Sequence, residues 1–194
     1  MFKRDATLGT GLFILLALPP VKQLMESHMV GQMIIQLPLL VLAGFFMGEA
    51  IKTKISVENN NSKLNGVAGI LLALFTITYW MLPRAVDASL NDVVFGILKY
   101  STLPLLAGIP ISLCWKRLHP LWKSFIWANN ISMFGVYGWL YIISPVRLCN
   151  NYLLGQQVLL GQIFLLITAL IILYFIFRSF VGDHRANYIV SEEN

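Results

Sequence analysis

The stretch Met25–Met47, MESHMVGQMIIQLPLLVLAGFFM, constrains this chain more than any other part of it. It is long enough to cross a hydrocarbon core, yet its first half carries thioethers, an imidazole and amides. On a helix advancing 100° per residue, Met25, His28, Met29, Gln32, Met33 and Gln36 fall within one arc of about 140°, and Val, Ile, Leu and Phe fill the rest. A soft, polar stripe at bilayer depth is costly unless it faces protein, water or an ion, so the spacing predicts an inner helix of a bundle. Pro38 leaves the carbonyl of Ile34 without its helical partner and predicts a bend there.

The other segments fit a membrane-embedded chain. Hydrophobic residues make up 57% of the 194 and charged ones 12%, and mean hydropathy is +0.72, which excludes an ordinary soluble domain. Residues 1–18 hold Lys3 and Arg4 ahead of a short apolar run that stops at Pro19 and Pro20. Leu16-Ala17-Leu18 is a poor small-x-small cleavage site, so an uncleaved signal anchor, a short first transmembrane helix, is preferred to a signal peptide. Residues 19–177 read as the helical bundle and 178–194 as a flexible polar cytoplasmic tail. Further spans are expected at about Val67–Met81, Val93–Leu113, Phe125–Ile143 and Tyr152–Phe177, with a solvated loop around Asn59-Asn60-Asn61. The fold class is therefore all-α, a polytopic transmembrane bundle of about six helices, or five if the first segment is cleaved.

Charge placement sets an expected orientation. Lys3, Arg4, Lys52, Lys54, Lys63, Lys116, Arg117, Lys123, Arg178 and Arg185 fall on one side, against Lys22, Arg84 and Arg147 on the other. Ten against three is a positive-inside pattern with both termini cytoplasmic in an inner membrane. It also explains the net charge of +5 without a nucleic-acid partner.

Within that frame, Met25, His28, Met29, Met81 and Cys149 map to the outer end. Thioethers and thiolates favour Cu(I), and imidazole binds copper in either common state. His28, Met25, Met29, Met33 and Met81 are thus the candidate metal ligands; the alternative is that the methionines pad helix contacts. Cys149 either completes such a site or is a small buried hydrophobe. Cys114 and Cys149 lie near opposite faces, about 30 Å apart, beyond disulfide reach. Ser89 with Asp92 resembles a capping arrangement. Lys99, two turns inside the fourth span, either snorkels outward or pairs with Asp87 or Asp92, and Arg84 with Asp87 reads as a local ion pair. No nucleophile–base arrangement, phosphate loop or zinc motif is present, so enzymatic activity is not expected. Nor are matching halves with broken helices evident.

Several short motifs bear on function. His28-Met29-Val30-Gly31-Gln32-Met33 followed by Leu37-Pro38-Leu39-Leu40 and Gly44 resembles the His-Met-x-x-His-Met…Pro helix of CtaG-type cytochrome c oxidase assembly proteins. Trp80-Met81-Leu82-Pro83 with Ala88 and Leu90 is similar to that family's Trp-His-Leu-Pro…Ala-Leu segment. Leu106-Ala107-Gly108 with Trp115, and Gln156-Gln157 with Leu160-Gly161, are similar to its later motifs. The resemblance implies a membrane protein that assists assembly or copper loading of a respiratory copper enzyme, with an oxidase subunit or other copper membrane enzyme as partner. Gln32 and Met81 stand where the family has histidines, and Lys99 or Tyr100 near where it has another. Copper would here be held by thioethers, or the chain is a noncatalytic subunit or interaction protein that has lost the metal.

Overall fold

The structure is a computed structural model describing residues 2–54 and 63–192, so the Asn59-Asn60-Asn61 run lies outside the described residues. Its helices are α1 (Phe2–Ala17), α2 (Pro19–Glu26), α3 (Leu37–Lys54), α4 (Lys63–Met81), α5 (Pro83–Asn91), α6 (Val93–Thr102), α7 (Ile109–Cys114), α8 (Pro120–Ile143) and α9 (Leu154–Glu192). A wide π turn, Gly31–Gln36, leads into α3, and a second, Leu103–Gly108, joins α6 to α7. No strand occurs among the described residues, and the fold is an all-α bundle. The last helix, Leu154–Glu192, runs on past residue 178.

Three helical segments, Gly31–Lys52, Val93–Cys114 and Leu154–Phe180, are long and apolar enough to cross a membrane, and two bent pairs raise the number to five. Helix α8 adds 24 residues, about 36 Å of helix, whose Asn, Trp and Tyr content lowers its hydropathy. Large apolar side chains such as Leu166, Leu173 and Phe177 point outward, as in a protein solvated by lipid.

The bent pairs disclose an internal repeat. After α1 the chain turns by 69° into α2, and after α4 it turns by 71° into α5. Both turns are Leu-Pro steps with Leu18 and Leu82 extended at ψ 131 and 134, because a proline disfavours the helical region for the residue before it. Both short helices are followed by a span containing a π turn and the string Leu-Pro-Leu-Leu…Ala-Gly: Leu37 to Gly44 and Leu103 to Gly108. Each π turn closes with an amide bonded five residues back, Leu37 to Gln32 and Ile109 to Pro104. The expectation of no matching halves is corrected. The sequence similarity between α1–α3 and α4–α7 is confined to these short strings, and the shared geometry only emerges with the bends.

The two units run in the same sense and meet through small residues. A Cβ on Gly44 would lie 2.3 Å from the Pro104 carbonyl oxygen, and one on Gly108 would lie 2.4 Å from that of Val41. Farther along, Gly48 faces Ser112. The parallel pair α3 and α6–α7 therefore crosses at backbone contact, which only Gly44-x-x-x-Gly48 against Gly108-x-x-x-Ser112 permits. Helix α1 packs antiparallel on α3 with Gly9 against Met47, and α4 antiparallel on α6–α7 with Gly69 near Cys114 and Trp80 bonded to Thr102. A final hairpin, α8–α9, closes through Gly138 and Gly161, each facing the other's carbonyl. The main apolar core lies towards the end of the bundle that carries α2 and α5. A smaller cluster of Ile70, Leu118 and Ile126 closes the opposite end.

Candidate functional site

Two groups of side chains meet beneath α2 and α5. The first is a buried polar network joining the repeats. Lys99 of α6 is 1% exposed and donates to Glu26 Oε1 of α2 at 2.6 Å and to Gln36 Oε1 at 3.2 Å. Gln36 Nε2 donates to the Tyr100 hydroxyl at 2.7 Å, which in turn donates to the Leu16 carbonyl at 3.1 Å. Tyr152, in the α8–α9 connection, bonds both the Glu26 carbonyl and Gln32 Oε1, while Gln32 Nε2 donates to Ser89. A buried charge with a partner and satisfied hydrogen bonds is tolerable in low dielectric, whereas an isolated one is not. The network thus fixes α2, α3, α5, α6 and the last connection in one register.

Several pairings differ from those expected. Lys99 neither snorkels nor pairs with Asp87 or Asp92; the bend after α1 brings Glu26 to it. Asp87 does not pair with Arg84 but accepts from the backbone amides of Asn150 and Asn151 at 2.7 and 3.4 Å and from the Asn151 amide side chain at 3.2 Å, securing the loop before α9. Asp92 itself caps α6 by accepting from Val94 N at 2.9 Å, and Ser89 turns inward to Val86 and Gln32. Gln157 holds the same loop, accepting from Leu148 N and donating to the Tyr141 carbonyl.

The second group is sulfur-rich. A cavity of about 330 Å³ lies between α3, α4, α8 and α9, and Met33, Met81 and Met133 all line it, with Asn130 and Phe164 completing part of its wall. Two of these thioethers are oriented by hydroxyls: Tyr141 donates to Met33 Sδ at 3.7 Å and Thr78 to Met133 Sδ at 3.6 Å. Met33 and Met81 are buried because the π turn and Pro38 direct the start of α3 into the core, where the end of α4 arrives. Asn130 and Met133, one turn apart on α8, were not singled out by sequence. Their α8 stripe is diluted by aromatic residues, and nothing local shows which side of α8 meets α3.

The expected stripe is divided by the chain's course. The continuous helix from Met25 is corrected: α2 ends at Glu26 and the chain reverses at Ser27 and His28. Met29, Gln32, Met33 and Gln36 are buried as expected, and Met29 packs in the same core as Met33 and Met81 without lining the cavity. Met25 is half-buried on α2, and His28 is exposed with Nδ1 2.8 Å from the Ser27 hydroxyl. The imidazole is therefore not brought to Met33 and Met81. Cys149 is a buried thiol donating to the Pro83 carbonyl at 3.6 Å, and burial, with Asp87 nearby, pushes it up to about 12. The free thiol stays protonated at neutral pH, and it does not line the cavity that Met33 and Met81 share. Among the described residues no group of three or more His, Cys, Asp or Glu side chains is arranged around a metal position, so the thioethers are the soft donors that converge.

No family model matches this chain, and no curated protein or solved structure is similar to it.

Proposed function

We propose that this chain is a noncatalytic integral membrane protein that holds Cu(I) as cargo within its bundle and supports assembly or copper loading of a respiratory copper enzyme. The observation that carries the reading is the meeting of Met33 from the π turn before α3, Met81 from α4 and Met133 from α8 on the wall of one cavity. Uncharged thioethers in an apolar cavity match a soft monovalent ion better than divalent metals that demand imidazole, thiolate or carboxylate. Tyr141 and Thr78 would orient two of the three sulfurs, a supporting role that metal ligands commonly need. The inward burial of Met29, Gln32, Met33 and Gln36 also disfavours the alternative in which the stripe is a docking face for another chain, since its amides are satisfied internally. The destination of the copper is supported by the motif resemblance to CtaG-type assembly proteins. The ten-to-three distribution of basic residues supports an inner membrane with the α2–α5 end outward.

The test is competition for Cu(I) between detergent-purified protein and a colorimetric chelator. The parent is expected to bind one equivalent. The volume-conserving double variant Met33→Leu/Met81→Leu is expected to lose affinity at least about tenfold, and His28→Ala to retain it. Failure of the parent to bind, or unchanged binding in the double variant, contradicts the proposal.

A further inference from the structure

A groove between α1–α2 and α5–α6 carries one ammonium, Lys22, and one carboxylate, Asp92, that the buried network does not use. Its cavity, about 380 Å³, is bounded by Phe13, Ala17, Val93 and Ile97 on its apolar side and has Lys22 and Asp92 on its wall. Val93 and Ile97 are 78% and 64% exposed, so the apolar side is open on the lipid-facing surface. Lys22 and Lys99 share the Tyr100 ring, their Nζ atoms 5.6 and 5.4 Å from its centroid. Glu26 is committed to Lys99 at 2.6 Å, and among the described residues no carboxylate forms an ion pair with Lys22. Three further polar groups of the wall are occupied, Tyr100 by the Leu16 carbonyl, Ser101 by that of Ile97 and Ser89 by that of Val86, and Asn91 lines it as well. Asp92 uses Oδ1 to cap Val94, and its other oxygen has no partner among the described residues.

An ammonium beside an apolar, lipid-open groove is complementary to a phosphate whose acyl chain follows the groove, and a phosphate there would offset the repulsion between the two lysines. The Asp92 carboxylate on the same wall disfavours a net anionic headgroup and favours one that brings its own cation. We propose that the groove binds one phospholipid bearing both a phosphate and an ammonium, the phosphate at Lys22, the ammonium at Asp92, and an acyl chain along Phe13, Ala17, Val93 and Ile97. A second groove, about 290 Å³ between α4 and α6 and lined by Phe75, Tyr79, Phe95 and Leu98, has no charged side chain on its wall. The Lys22 site stands independently of the copper proposal.

Native mass spectrometry of the detergent-purified full chain, titrated with dioleoyl phosphatidylethanolamine or dioleoyl phosphatidylglycerol, tests the proposal. The parent is expected to retain one phosphatidylethanolamine in preference to phosphatidylglycerol. Lys22→Gln is expected to weaken that binding about tenfold and Lys22→Arg to keep it. Asp92→Asn preserves the cap on α6 and is expected to abolish the preference between the two lipids. Equal retention of both lipids by the parent, or unchanged binding in Lys22→Gln, would overturn it.

Discussion

Removing the ammonium of Lys99 leaves Glu26 and Gln36 facing one another without their shared donor. Truncating one member of a buried ion pair costs about 3–5 kcal/mol, so Lys99→Met is expected to lower the thermal midpoint in detergent sharply. Adding Glu26→Gln to it removes the orphaned charge and is expected to recover much of the loss; a double variant as unstable as the single one would contradict the pairing. The partner of Lys99 was not legible from sequence, because Glu26 lies 73 residues away and is brought there by the bend at Leu18-Pro19. Asp87 and Asp92 are nearer along the chain, yet both are engaged locally, one with the loop before α9 and one with the cap of α6. The inward direction of Met29, Gln32, Met33 and Gln36, in contrast, was readable from helical spacing alone. Cys149 offers a separate check at this scale. With its thiol pushed up to about 12, the reactive thiolate is scarce below that pH. Alkylation at pH 8 is expected to leave Cys149 unmodified in the folded protein and to modify it after denaturation. Rapid modification of the folded protein would contradict its burial.

At the level of elements, glycines decide how closely the two repeats approach. Gly44→Ala places a methyl group 2.3 Å from the Pro104 carbonyl oxygen, so α3 and α6–α7 must separate. Overpacking of this kind costs about 1–3 kcal/mol. Gly11→Ala is the internal control, since nothing lies within 4 Å of a Cβ at that position. A lowered midpoint for Gly44→Ala and an unchanged one for Gly11→Ala are expected; equal effects would contradict the close crossing. The spans themselves were legible in the apolar runs, and the Leu-Pro steps marked where α1 and α4 stop. The short helices after those steps, α2 and α5, did not stand out as separate elements, because eight or nine residues carry too little periodicity. The continuous helix from Met25 failed for a related reason: the reversal at Ser27 and His28 has no proline or glycine of its own, and the glycine it uses, Gly31, whose Cβ would lie 2.7 Å from the Met25 carbonyl oxygen, sits three residues further on.

For the whole molecule, alternation of helix direction puts Ser27 at the α2–α5 end and Ser124, at the start of α8, at the opposite end. With Cys114 and Cys149 replaced by serine, Ser27→Cys is expected to react with a membrane-impermeant maleimide on intact cells, and Ser124→Cys only after permeabilisation. The reverse pattern would contradict the orientation taken from the basic residues. Cavity-forming convergence is the property that sequence shows least well, since Met33, Met81 and Met133 belong to three helices whose facing sides depend on the glycine crossings and the closing hairpin. X-ray absorption at the copper edge of protein loaded with one equivalent of Cu(I) examines that convergence directly. A first shell of sulfur alone, lost in Met33→Leu/Met81→Leu, is the expected result. A shell containing imidazole nitrogen, or a sulfur shell unaffected by the double substitution, would contradict a thioether site in the core.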